Sequence, residues 1–90
     1  ENYRQFVSEI YPGRFIVPGD SGDSVTTIQE NLRRISEYDG SIPLVTVTGT
    51  YDEETQNAVR ALQAQLGIPQ TGVIGPVLWS EIITRGNGFE

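Results

Sequence analysis

The sequence predicts an all-α fold, a small three-helix bundle with short extended links and an N-terminal docked segment. Three apolar stripes recur at the helical period, and each is opened by a capping or turn residue and closed by glycine or proline. An internal echo adds to this. Val25-x-x-Ile28-Gln29-x-x-Leu32 matches Val59-x-x-Leu62-Gln63-x-x-Leu66 position by position, and Thr48-Gly49-x-Tyr51 before the second stripe matches Thr71-Gly72-x-Ile74 before the third. The repeat is too imperfect for a solenoid and fits a compact pseudo-repeated bundle.

In chain order, Tyr3, Phe6, Val7 and Ile10 form one apolar face of a helix too short to persist without packing on the rest. Tyr11-Pro12-Gly13 stops it, and an extended piece from Arg14 to Val17 follows, with Phe15 and Val17 on one face. Residues 1–18 are read as a linker with a docked anchor, and residues 19–86 as the domain. Asp20-Ser21-Gly22-Asp23-Ser24 offers several N-caps to a first helix, whose stripe is Val25, Ile28, Leu32 and Ile35 and which runs to about Tyr38. Leu44 to Val47, apolar and partly β-branched, reads as a short strand before the Thr48-Gly49 turn. The second helix is the best specified. Asp52 caps it, Glu53 and Glu54 suit the positive end of its dipole, Val59, Leu62 and Leu66 form its stripe, and Gly67 with Ile68-Pro69 ends it. After a second extended piece, Thr71 to Ile74, Gly75-Pro76 opens a third helix through Leu78, Trp79, Ile82 and Ile83, with Gly86 and Gly88 marking a frayed end.

Composition narrows the chemistry. The chain has 90 residues, enough for one small domain that buries roughly 60% of its unfolded surface. With no cysteine and no histidine, a zinc site is excluded and the commonest general base is missing. A formal charge of −6 argues against nucleic acid and anionic membrane surfaces as partners, and no apolar run approaches the ~20 residues of a membrane span. The chain reads as a soluble piece of something longer, a monomer that needs no cofactor and no metal.

Three motifs in order, G-D-S-G-D-S-V-x-x-I-Q-x-x-L from Gly19, T-G-T-Y-D-x-x-T-x-x-A-V-x-x-L-Q-x-x-L-G-I from Thr48 and T-G-V-I-G-P-x-x-W from Thr71, resemble the bacterial peptidoglycan-binding domain family. The resemblance covers roughly residues 19–83. It implies a non-catalytic module that binds cell-wall peptidoglycan, through its glycan strand or its stem peptide, and targets a linked catalytic domain to the wall. It places the protein in the cell wall, outside the cell or in a spore envelope. Tyr11-Pro12-Gly13 and the Ile42-Pro43 insertion look like variants from spore-forming Gram-positive bacteria. The chain departs from the family's D-G-x-(Phe or Tyr)-G turn, with Thr48 for the aspartate and Asp52 for the second glycine. A turn-shaping role for Thr48 is favoured over a ligand role, because the echoed site also uses Thr71-Gly72.

A hydrolase is not supported. Asp52, Glu53 and Glu54 are explained by capping and the dipole, the remaining acids are scattered, and no serine or threonine has a histidine or lysine to activate it. The D-S-G-D-S run lacks the alternating acids and distal glutamate of a calcium loop. For a glycan or stem peptide the candidate contacts are Tyr38, Thr48, Tyr51, Asp52, Gln29, Gln63, Arg33 and Arg34, chosen for aromatic stacking, hydroxyl and amide pairing, and carboxylate recognition. A groove joining Tyr38, Tyr51, Asp52 and the Thr48 loop is expected. Trp79 and Tyr51 are each read more readily as packing residues, and Gln29 and Gln63 alternatively as braces for the inter-helix loops. Two other functions keep the same fold: a protein-interaction or prodomain-like module, and a structural spacer.

Overall fold

The computed structural model describes residues 11–88, and the short helix expected over Tyr3 to Ile10 lies outside them. Three helices follow in order: α1 over Asp23–Tyr38, α2 over Glu53–Leu66 and α3 over Pro76–Asn87. The first helix is the central one. It packs along α3 and more sparingly on α2. Val25, Ile28, Leu32 and Ile35 of α1 meet Val59 and Leu62 of α2 and Leu78, Trp79 and Ile82 of α3 in one continuous core. The apolar stripes read from the sequence are the buried faces, except that Leu66 at the end of α2 is only half-buried.

The boundaries carry the chemistry expected of them at α2 and less so elsewhere. Asp52 is the N-cap of α2 and accepts from the Thr55 amide at 3.0 Å, and Gly67 closes the helix in the left-handed region with φ 72°. At α1 the cap is Gly22, with no side-chain hydrogen bond. Asp20, expected among its caps, is instead occupied by the Val17 amide at 3.0 Å and Arg14 at 3.1 Å. At the end of α3 the expectation of fraying at Gly86 is corrected. The helix runs through this glycine because α1 passes close over it: a Cβ there would lie 2.1 Å from Asn31 Oδ1. Gly86 is a packing residue, and its carbonyl accepts from Arg34 Nε at 3.1 Å.

The links are extended but form no strand among the described residues. Two isolated antiparallel bridges, Ile16 with Ile74 and Ser21 with Thr50, are the whole of the pairing. Ile16 and Ile74 exchange both backbone hydrogen bonds at 2.9 Å, which turns Ile16 into the core and leaves Phe15 and Val17 on the outer face. The strand expected over Leu44 to Val47 is likewise corrected. Val45 is buried and Leu44 exposed, but the Thr46 amide donates to Glu54 Oε1 at 2.8 Å instead of to a neighbouring strand. Tyr11 reaches the body too, its ring edge-on to Trp79 with centroids 5.8 Å apart.

Candidate functional site

The echo in the sequence becomes a repeated device in three dimensions. Gln29, fully enclosed in α1, points its carboxamide at the turn before α2. Its Oε1 accepts from the Thr48 and Gly49 amides at 2.9 and 2.8 Å, and its Nε2 donates to Thr48 Oγ1, the Thr50 carbonyl and Thr55 Oγ1 at 3.2, 2.9 and 2.9 Å. Gln63 of α2 repeats this at the turn before α3. Its Oε1 accepts from the Gly72 amide at 2.9 Å, and its Nε2 donates to Thr71 Oγ1 at 3.1 Å and the Val73 carbonyl at 3.4 Å. Gly49 and Gly72 hold the same left-handed backbone, φ 85° and 75°. A carboxamide, with donor and acceptor on one planar group, satisfies both sides of such a turn at once.

The first turn presents polar groups outward from this base. Thr48 and Thr50 are exposed, and Thr48 Oγ1 lies 3.3 Å from Asp52 Oδ2, to which it donates. The Thr55 hydroxyl at 2.7 Å, and then the Thr55 amide, hold the Asp52 carboxyl below the usual carboxylate range. The turn therefore carries a fixed negative charge beside two hydroxyl-bearing residues.

Tyr51 joins the two turns. It is buried, its hydroxyl donates to the Gly72 carbonyl, and burial pushes its phenol well above the ordinary value. Tyr51, Gln29 and Gln63, expected as ligand contacts, have no surface to offer a ligand. Their polar groups are spent inside, and the structure gives them the bracing role that the sequence reading held as the alternative for the glutamines.

The remaining candidates lie further along α1. Tyr38 is 67% exposed, as an aromatic at a polar helix end should be. It stands nine residues beyond Gln29 on the same helix, about 13 Å along the axis. Tyr51 is buried between the two turns, so it does not line an outer groove with Tyr38 and the Thr48 loop as expected. Around that end of α1, Asp39 accepts from Ser41 and from Gln65 Nε2 at 2.8 Å, and Gln65 Oε1 accepts from Arg85 at 3.2 Å. The Gln65 and Ser41 hydrogen bonds hold the Asp39 carboxyl low. Arg33 pairs loosely with Glu37 at 3.6 Å, and Arg34 is turned inward onto Asn31 Oδ1 at 2.8 Å and the Gly86 carbonyl. Among the described residues no cluster of three potential metal ligands occurs, and no described helix is long and apolar enough to cross a membrane.

A family model described as a putative peptidoglycan binding domain matches residues 21–82, a stretch that contains both turns and α1 and α2 entire. Over 64 residues the chain is 36% identical to N-acetylmuramoyl-L-alanine amidase CwlL of Bacillus licheniformis. That alignment takes in 71% of this chain but 17% of the amidase, so the chain spans a small part of the relative's length. No solved structure matches significantly.

Proposed function

The chain belongs to the peptidoglycan-binding domain family, and on that premise we propose that it binds bacterial cell-wall peptidoglycan without cleaving it and holds a linked catalytic domain near its substrate. The observation that carries this reading is the family match over residues 21–82. The amidase relative supports the arrangement, since only 17% of its length corresponds to this chain and the rest is left for other parts. A modest binding site on the same chain raises the effective concentration of a catalytic domain at the wall without new chemistry. The protein accordingly works at the wall, outside the membrane.

The ligand-facing edge is proposed at Thr48, Thr50 and Asp52, where hydroxyls and a carboxylate suit sugar hydroxyls and peptide amides, with Tyr38 and Arg33 as a separate, outlying contact. Asp52 is held below the usual carboxylate range by its Thr55 hydrogen bonds, so it offers a ligand a fixed anionic acceptor. Retention on purified, teichoic-acid-free peptidoglycan at low salt tests the function. The chain is expected in the pellet; recovery no greater than that of a non-binding control protein would sink the proposal.

A further inference from the structure

Among the described residues, the wall-binding reading leaves one cation unaccounted for. Arg14 pairs with Asp20, Arg33 with Glu37 and Arg85 with Glu81, while Arg34 bonds Asn31 and the Gly86 carbonyl. Among the described residues 11–88, Arg60 is the arginine that forms neither an ion pair nor a hydrogen bond through its side chain. The sequence explains why. Arg33 and Arg85 each have a glutamate one turn away, whereas the positions one turn from Arg60 are Gln56, Asn57, Gln63 and Ala64, all neutral. In a chain with twelve acids against six arginines, this leaves an exposed guanidinium with no hydrogen-bond or ion-pair partner among the described residues.

Its surroundings are ordered. Arg60 and Gln56 stand one turn apart on the side of α2 that covers the second turn. A Cβ on Gly72 would lie 3.0 Å from Gln56 Nε2 and 3.5 Å from Arg60 Nε, so two N–H-bearing groups converge over a glycine. The Gln56 carboxamide also forms no hydrogen bond among the described residues. Gly72 itself is fixed from both sides, its amide by Gln63 and its carbonyl by Tyr51. Rigid backbone beneath and two unspent donors above are what a planar acceptor with two oxygens requires.

We propose that Arg60 and Gln56, converging over Gly72, form a carboxylate-binding site that takes the free carboxylate of a short peptide. The inference rests on the wall-binding reading and deepens it by naming the stem peptide, and not the glycan strand, as what this part of the surface grips. Asp52, Gln56 and Arg60 fall at i, i+4 and i+8, so the anionic turn and the cation are about 12 Å apart along α2. An extended peptide of roughly three or four residues spans that distance, a backbone N–H at its sugar-linked end toward Asp52 and its free carboxylate toward Arg60.

The test titrates the isotopically labelled chain with a soluble disaccharide-tetrapeptide muropeptide and with the same muropeptide amidated at its terminal carboxyl, followed by NMR. The acid form is expected to move the amide signals of Gly72 and of Gln56 to Arg60. Amidation should weaken binding about tenfold, Arg60→Gln should weaken the acid form by a similar factor and make the protein indifferent to amidation, and Arg60→Lys should recover part of the loss. Equal affinity of Arg60→Gln and the unaltered chain for the acid form, or no cost of amidation in the unaltered chain, overturns the site. If the chain is still retained on whole peptidoglycan in either case, the wall-binding function stands without this site. A chain neither retained on peptidoglycan nor shifted by the muropeptide loses both.

Discussion

The two glutamine-braced turns are built alike and surrounded differently. In each, a buried carboxamide reaches across from the preceding helix to a Thr-Gly turn whose glycine has positive φ. The first turn then runs into a capping aspartate with exposed threonines beside it, so its outer surface is anionic and rich in hydroxyls. The second runs into Gly75-Pro76 with no side-chain cap, and its outer surface is covered by Gln56 and Arg60. What is repeated holds the chain together, and what differs between the copies faces outward. Identity within a pseudo-repeat therefore marks scaffolding here, and divergence marks where specificity can reside.

The largest losses of stability are expected at the two glutamines. Gln29→Ala removes five hydrogen bonds from an enclosed position and should cost about 3 kcal/mol. Gln63→Ala removes three and should cost about 2 kcal/mol, so thermal denaturation should place the first variant below the second. A reversed order would mean that the two braces are not equivalent devices. Tyr51→Phe severs the link between the turns and leaves the Gly72 carbonyl short of its donor, at about 1 to 2 kcal/mol in urea unfolding.

The smallest effect is expected at Asp52. Asp52→Ala should cost about 1 kcal/mol at neutral pH and Asp52→Asn less, because asparagine also caps. The pH dependence has a definite sign. Because the folded-state carboxyl of Asp52 is held below its unfolded value, its contribution is fully present above about pH 4 and is lost as pH falls through the lowered folded value. Asp20 and Asp39 are shifted in the same direction, so Asp52→Asn should flatten the acid limb of stability only in part. An acid limb identical to that of the unaltered chain would show that the Thr55 hydrogen bonds do not favour the charged form.

Much of the fold was legible because it is written in local signals. The stripes, the Asp52 cap and the Gly67 stop depend on residues within a turn or two of one another, and helical spacing reports them directly. What escaped depends on distant partners. Gly86 looks like a helix breaker until α1 is laid across it, and the face shared by Phe15 and Val17 is seen to be the outer one only when Ile16 is paired with Ile74. The residues over Leu44 to Val47 have strand composition but no strand beside them. At the site, the echo announced that Gln29 and Gln63 were equivalent, and their glutamine chemistry allowed either ligand or loop as partner. Only burial decides between these. Arg60 falls at an unspecified position of the second motif and so drew no reading, although a signal was present: every position one turn away from it is neutral.

The Ile16–Ile74 bridge bears on how far this module can be carried from one protein to another. The family match begins at Ser21, yet Ile16 contributes a fully buried side chain and two backbone hydrogen bonds to the link that opens α3. A graft cut at Ser21 would travel without that plug, leaving the Ile74 amide and carbonyl unpaired and a hollow against the core. The transplantable piece has to bring along residues that lie upstream of the recognisable motif.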